Sequence, residues 1–360
     1  MMISGTGLCS GLKLLALAAA LSACKHGDIV MNASEPVVAA GIYASAMAPV
    51  VKERPRIRAA EQNILILTSG GADGAFGAGV LTAWSTSAKR PVFDIVAGVS
   101  TGALQATPAF LGSDWDGLLE RVYTTTRTRD VFRSNGLKTL VGSGYYDPAP
   151  LHRLLTELVT EEMLDAVATA HRQGRRLYVA TTDMTAGKSV LWDMGAIAAS
   201  GDGRKNSYID VLIASAAVPG LVEPVRVVDR QRGTRSLHGD GGVKAPVPLE
   251  PFMLDPRKAV RTNVWVVANG HVSRDAASNS EARTTLALAR RGVSQLLRQL
   301  LYSSVREAET RTLRAGAHFR LIALPDSTPE AADPFVFNPD EMRGLYDKGR
   351  ELGSQISRST

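Results

Sequence analysis

Residues Ile64-Leu-Ile-Leu-Thr-Ser-Gly-Gly-Ala-Asp-Gly-Ala-Phe-Gly-Ala-Gly79 run from an apolar strand through a glycine-rich turn into a helix of small residues. Such a turn leaves backbone N–H groups at a helix start without intrahelical acceptors, ready to face an anion. Two later segments give that loop a purpose. Gly98-Val-Ser-Thr-Gly102 places a serine between a short β-type run, Pro91-Val-Phe-Asp-Ile-Val-Ala97, and a helical stretch beginning at Thr101. This is the strand-to-helix elbow that exposes a nucleophilic hydroxyl, and its flanking positions, Gly98 and Gly102, must be small. Asp240-Gly-Gly242 then presents a carboxylate after another apolar stretch, with Gly241 and Gly242 leaving room around it.

A neutral seryl hydroxyl is a weak nucleophile, so Ser100 needs a base within hydrogen-bond reach and donors for the oxyanion that forms on attack. None of the six histidines sits in a late glycine-flanked loop of the kind an Asp-then-His hydrolase order calls for. Asp240 is the better placed partner, and a Ser-Asp dyad follows. Two alternatives stay open. His271, after a strand in Asn269-Gly-His271, would complete a Ser-His-Asp carboxylesterase, and a chain with a disabled oxyanion loop would be a non-catalytic lipid- or partner-binding surface protein.

With four segments in order, Ser69-Gly-Gly-Ala-Asp-Gly74, Gly98-Val-Ser-Thr-Gly102, Ala214-Ser-Ala-Ala-Val-Pro-Gly220 and Asp240-Gly-Gly242, the chain resembles the patatin-like phospholipase family. The resemblance implies a lipid acyl hydrolase that works through an acyl-enzyme, with Ser100 as nucleophile, Asp240 as base and the amides of Gly70, Gly71, Ala72 and Gly74 as oxyanion hole. It implies no cofactor and no metal, and the substrate is a membrane lipid or another acyl ester. The chain departs from the family pattern at Ser69, where a glycine is usual, and at Asp73, where a basic residue is usual. A carboxylate facing the oxyanion would oppose it, so Asp73 is expected to point outward. The Pro219-Gly-Leu-Val-Glu-Pro224 segment falls near the site by resemblance, though a rigid turn explains its prolines equally well.

The chain has 360 residues, 45% of them hydrophobic, enough for one large core. Only Cys9 and Cys24 are present, which excludes a disulfide framework. Leu12 to Cys24 is a short apolar core ending in small residues, the form of a signal peptide. Leu21-Ser-Ala-Cys24 resembles the bacterial lipobox, which implies removal of residues 1–23, lipidation of Cys24 and, with Lys25 following, an outer-membrane anchor in the cell envelope. Residues 24–61 read as a tether, in which Lys52, Arg54, Arg56 and Arg58 form a solvated basic stretch. The net charge of +6 is too diffuse for nucleic acid, and no aromatic-basic stripe accompanies it.

Strand and helix patterns alternate through residues 62–324, predicting an α/β domain with a mostly parallel central sheet and helices on both faces, similar to α/β-hydrolases. Residues 325–360 are expected to be a loop and a helix, Pro339 to Ser357, packed on the same domain. Helices are predicted at Asp114 to Thr126, Pro148 to Val159, Tyr208 to Val218 and Glu281 to Arg314, the last with Leu286, Val293, Leu296, Leu297 and Leu300 on its apolar face. Strands are predicted at Arg175 to Met184, Lys188 to Met194, Val225 to Val228, Ser236 to Leu237, Thr262 to Ala268 and His318 to Leu324. A glycine-rich stretch, Gly136 to Gly144, is read as a rim. Asp183 and Asp193 resemble a carboxylate pair but are expected in turn or edge roles. His238 shares a strand face with Asp240 by alternation and is expected to be a packed core residue.

Overall fold

The computed structural model describes residues 61–87, 90–135, 144–229, 234–254, 260–273, 285–329 and 333–356. The leader, Cys9, Cys24, the basic tether residues and nearly all of the 136–144 rim lie outside them. The strands are β1 (Glu61–Leu67), β2 (Ile95–Val99), β3 (Arg133–Ser134), β4 (Gly144–Asp147), β5 (Arg176–Asp183), β6 (Lys188–Asp193), β7 (Gly220–Val222), β8 (Val225–Asp229), β9 (Thr234–Asp240), β10 (Arg261–Ala268) and β11 (His318–Ala323). The helices used below are α1 (Gly74–Thr86), α2 (Thr101–Leu111), α3 (Asp116–Thr125), α4 (Ala149–Leu158), α5 (Glu161–Arg172), α6 (Met194–Ala198), α7 (Arg204–Ser215), α8 (Thr285–Arg314) and α9 (Pro339–Ile356).

The main sheet has the order β11-β10-β1-β2-β5-β9-β8, with β6 also paired to β5. Its first five strands are parallel, and β6, β9 and β8 add antiparallel pairs. A parallel sheet must be covered on both faces, because its crossovers place helices there. The side chains alternate accordingly. Leu65 and Leu67 of β1, Val96 of β2, Leu177 and Val179 of β5 and Trp265 and Val267 of β10 enter one buried cluster with residues of α1, α2, α5, α7 and α9. Ile64 and Ile66, Ile95, Ala97 and Val99, Tyr178 and Ala180, and Val264 and Val266 enter the other, beneath α8. The predicted α/β architecture is therefore the one observed.

The structure differs from the sequence reading in three places. α7 begins earlier and stops at Ser215, so Ala216 to Pro219 form a turn rather than the end of a helix. α8 buries Leu301, Val305 and Ala308, and Val293 and Leu297 pack at the edge, whereas Leu296 and Leu300 are 67% and 40% exposed. The apolar face is thus rotated from the expected one, because Leu296 and Leu300 are four residues apart and share a stripe beside the buried one. α5 and the small sheet β3-β4-β7 had no clear signal in the sequence. α9 lies along α1, where the Thr82 and Tyr346 hydroxyls meet at 3.0 Å. Among the described residues no helix is long and apolar enough to cross a membrane.

Candidate active site

β5 brings the two halves of the site together. Its register sets Val99 beside Ala180 and Asp240 beside Thr181, so residues 141 positions apart in sequence arrive at consecutive positions of one strand. The site lies beyond the carboxyl ends of β1 and β2, where open α/β sheets place their ligands.

Ser100 follows β2 and precedes α2, with φ 56° and ψ −126°. It is the one non-glycine residue with positive φ among those described. Such backbone costs on the order of 1–3 kcal/mol and persists only where its surroundings enforce it. Two close approaches explain the flanking glycines. A Cβ on Gly98 would lie 2.3 Å from the Gly102 carbonyl oxygen, and one on Gly102 would lie 2.3 Å from that of Leu67. α2, an eleven-residue helix, starts directly after the serine, which places the positive end of its dipole there.

Ser100 and Asp240 are 7% and 2% exposed. The Ser100 side chain interacts with the Asp240 carboxyl and favours its ionised form. The Gly242 N–H donates to Asp240 Oδ1 at 2.7 Å, while Gly241 opens the short turn that follows. Burial pushes the Asp240 carboxyl up to about 6, and the Ser100 side chain and the Gly242 N–H oppose that rise. A carboxyl poised near neutrality is suited to accept and return a proton at working pH.

The glycine loop approaches from β1. The Ala72 N–H donates to the Pro334 carbonyl at 2.9 Å, and the Gly74 N–H is taken by the carbonyls of the turn before it. The N–H groups of Gly70 and Gly71 have no acceptor among the described residues, and both residues are half-buried. Of the four loop residues named from sequence, these two retain donors for a ligand. Gly71 has φ 58°, and a Cβ there would lie 2.1 Å from the Pro334 oxygen, so the segment around Pro334 clamps the loop.

Asp73 corrects an expectation. It is 5% exposed, buried rather than pointing outward. It sits at the junction of the loop's single 3₁₀ turn with α1, where the chain turns into the core. His271 also departs from the role open to it, since its Nε2 donates to the Thr328 carbonyl at 2.8 Å. The Ser100 side chain interacts instead with Asp240.

His238 is buried, with Nδ1 2.9 Å from the Thr181 hydroxyl and Nε2 2.8 Å from that of Ser236. Desolvation holds its pKa below the usual histidine value, with the Asp183 charge acting the other way. Asp183 accepts the amides of Thr185 and Ala186 in a turn, and Asp193 accepts that of Ala196 at the start of α6. All three therefore have the structural roles expected of them.

Two residues of the site had no role in the sequence reading. Ser69 Oγ lies 3.3 Å from the point where a Cβ on Gly242 would stand, the same point that is 3.0 Å from Asp240 Oδ1, so its hydroxyl faces the site. Ser215, buried at the end of α7, accepts the Ser100 N–H at 2.9 Å and donates to the Ala180 carbonyl at 2.7 Å. A serine closing an apolar helix signals a needed partner, since buried hydroxyls are satisfied, but its partner is visible only in three dimensions.

Residues 65–253, more than half of the chain, match the family model described as patatin-like phospholipase. Among solved structures, VipD from Legionella pneumophila aligns at 15% identity and TM-score 0.40, over 81% of this chain and 67% of its own. ExoU in its heterodimeric complex with SpcU, from the type III secretion system of Pseudomonas aeruginosa, aligns at 13% identity and TM-score 0.34, over 85% of this chain and 52% of its own. Likenesses this distant carry no argument of their own. No curated protein matches the chain.

Proposed function

This chain belongs to the patatin-like phospholipase family, and from that membership we propose that it is a lipid acyl hydrolase in which Ser100 is the nucleophile and Asp240 its general base. The observation that carries the reading is that Ser100, held in positive φ just after β2, and the buried carboxyl of Asp240 are brought side by side along β5. As Oγ attacks the ester carbonyl carbon, its proton passes to Asp240, and negative charge collects on the carbonyl oxygen. The N–H groups of Gly70 and Gly71 meet that charge, and one such preorganised donor is typically worth about 3–4 kcal/mol of barrier. Asp240 returns the proton to the departing alkoxide, leaving an acyl-serine. Water, deprotonated by the same carboxylate, releases the fatty acid and restores the hydroxyl.

The side-chain cation that family members carry in the loop is replaced here by buried Asp73, so the oxyanion relies on backbone donors and the α2 N-terminus. Phospholipase A or lysophospholipase action is the substrate reading, drawn from the family. In the same proposal Cys24 carries the lipid that anchors the chain in the cell envelope, the outer membrane being favoured by Lys25. Membrane fractionation of Cys24→Ser tests the anchor, which predicts release of the variant into the soluble fraction. Mass analysis of the products formed from mixed phospholipid vesicles tests the activity. Free fatty acid is expected from the wild type and none above background from Ser100→Ala, and equal release by the two would overturn the assignment.

A further inference from the structure

We infer that Ser215 is a positioning residue, whose hydroxyl locks the backbone of Ser100 so that Oγ meets Asp240. The inference rests on the reading of Ser100 and Asp240 as the reacting pair. Ser215 is fully buried where α7 ends, and its Oγ has two backbone partners, one just after β2 and one in β5. It accepts the N–H of Ser100, the first residue after β2, and donates to the carbonyl of Ala180 in β5, the residue registered with Val99.

Ser100 lies past the last residue of β2 and before the first of α2, so neither regular ladder supplies its N–H with an acceptor. Ser215 supplies it from a third element. The same segment holds the other half of the pair. The Ala217 carbonyl accepts the Asp240 N–H at 2.8 Å, and the Thr182 hydroxyl donates to the Asp240 carbonyl at 2.9 Å. The stretch Ser215–Ala217 thus fixes one backbone group of the nucleophile and one of the base, through residues two positions apart.

This assigns a chemical reason to the Ala214-Ser-Ala-Ala-Val-Pro219 stretch, which prolines and turn geometry alone do not give. It also separates two kinds of amide at the site. The Ser100 N–H is used for positioning, whereas those of Gly70 and Gly71 face the ligand. Losing the Ser215 hydroxyl would leave the Ser100 N–H and the Ala180 carbonyl buried without that partner, and the elbow would relax toward ordinary φ. Displacement of a reacting atom by about 1 Å is enough for a loss near 10²-fold.

The test uses the full chain with Ser215→Ala, with Ser215→Cys, which keeps the volume but offers a weak sulfur partner, and with Val305→Ala in the distant core under α8 as a stability control. Two readouts are taken: the rate of covalent labelling by a fluorophosphonate, and hydrogen exchange at the Ser100 amide against amides of β10. Both Ser215 variants are expected to label about 10- to 100-fold more slowly and to exchange the Ser100 amide at least about 10-fold faster, with β10 unchanged. Val305→Ala is expected to melt lower while labelling at the wild-type rate. Wild-type labelling and amide protection in the Ser215 variants, or labelling losses in all three that merely track melting temperature, overturn the inference. Failure of both Ser215 variants to fold also overturns it, leaving Ser215 a structural role alone. If wild-type Ser100 does not label at all, the proposed function fails, while the exchange arm still decides whether Ser215 holds the elbow.

Discussion

Replacing Asp240 with Asn should abolish activity and stabilise the protein, and the second effect follows from the first residue's surroundings. In the folded chain burial raises the Asp240 carboxyl from its ordinary 3.8 to about 6. A group whose folded value lies above its unfolded one binds a proton more tightly in the folded state, so stability falls as pH rises between the two values and is level above them. At about 1.4 kcal/mol for each pH unit of difference, ionised Asp240 destabilises the fold by about 3 kcal/mol at pH 8. An asparagine keeps an oxygen to accept the Gly242 N–H and places its amide against Ser100, without the buried charge. For a domain of this size the gain corresponds to a melting temperature about 5 °C higher at pH 8. Thermal unfolding of both proteins from pH 4 to pH 8 reads the effect. The gap should open between about pH 4 and pH 6 and stay constant above, while ester turnover at pH 8 drops by at least about 10³-fold. A gap independent of pH, or a variant less stable than wild type at pH 8, would refute the reasoning.

Three further outcomes are expected. Because the ionised carboxylate is the active form, kcat/KM for a soluble ester should fall about tenfold for each pH unit below about 6 and level off above it, as a pH-rate profile will read. Gly70→Ala places a Cβ 2.0 Å from the Asn269 carbonyl oxygen, and the forced shift of the loop should cost about 10²- to 10³-fold in kcat by the loss of one oxyanion donor, measured on the same ester. Asp73→Arg, which restores the family's charge type at the loop, should lower stability by at least about 3 kcal/mol in denaturant unfolding, because that position is buried and has no room or hydration for a longer cation.

The legible parts of this protein are those where a residue type answers to a local rule. The continuous apolar run of β1, the small residues around Ser100 and the glycines after Asp240 each have a steric or hydration reason that operates within a few positions, and the elbow and the carboxylate could be named from them. The meeting of Val99 and Asp240 along β5 depends on strand order, which no local pattern encodes. The burial of Asp73 escaped for a similar reason. The glycine spacing around it suggests a solvent-facing loop, but the clamp that encloses the loop comes from Pro334, far along the chain. α8 shows a third kind of failure. Its leucines at 296, 297, 300 and 301 fill two adjacent stripes, and only packing in three dimensions, against β11, the turn after Asp240 and the buried cluster beneath the helix, selects which stripe is buried. Ser215 is the sharpest case, since its hydroxyl reads as an ordinary helix end until both of its backbone partners are seen.

The central claim is that Asp240, without a histidine, activates Ser100. Peptide mapping of a fluorophosphonate adduct on the wild type, Asp240→Asn and His271→Ala tests it most directly. The account predicts an adduct on Ser100 in the wild type and in His271→Ala at similar rates, with labelling at least about 10²-fold slower in Asp240→Asn. Rapid labelling of Asp240→Asn together with loss in His271→Ala would contradict it.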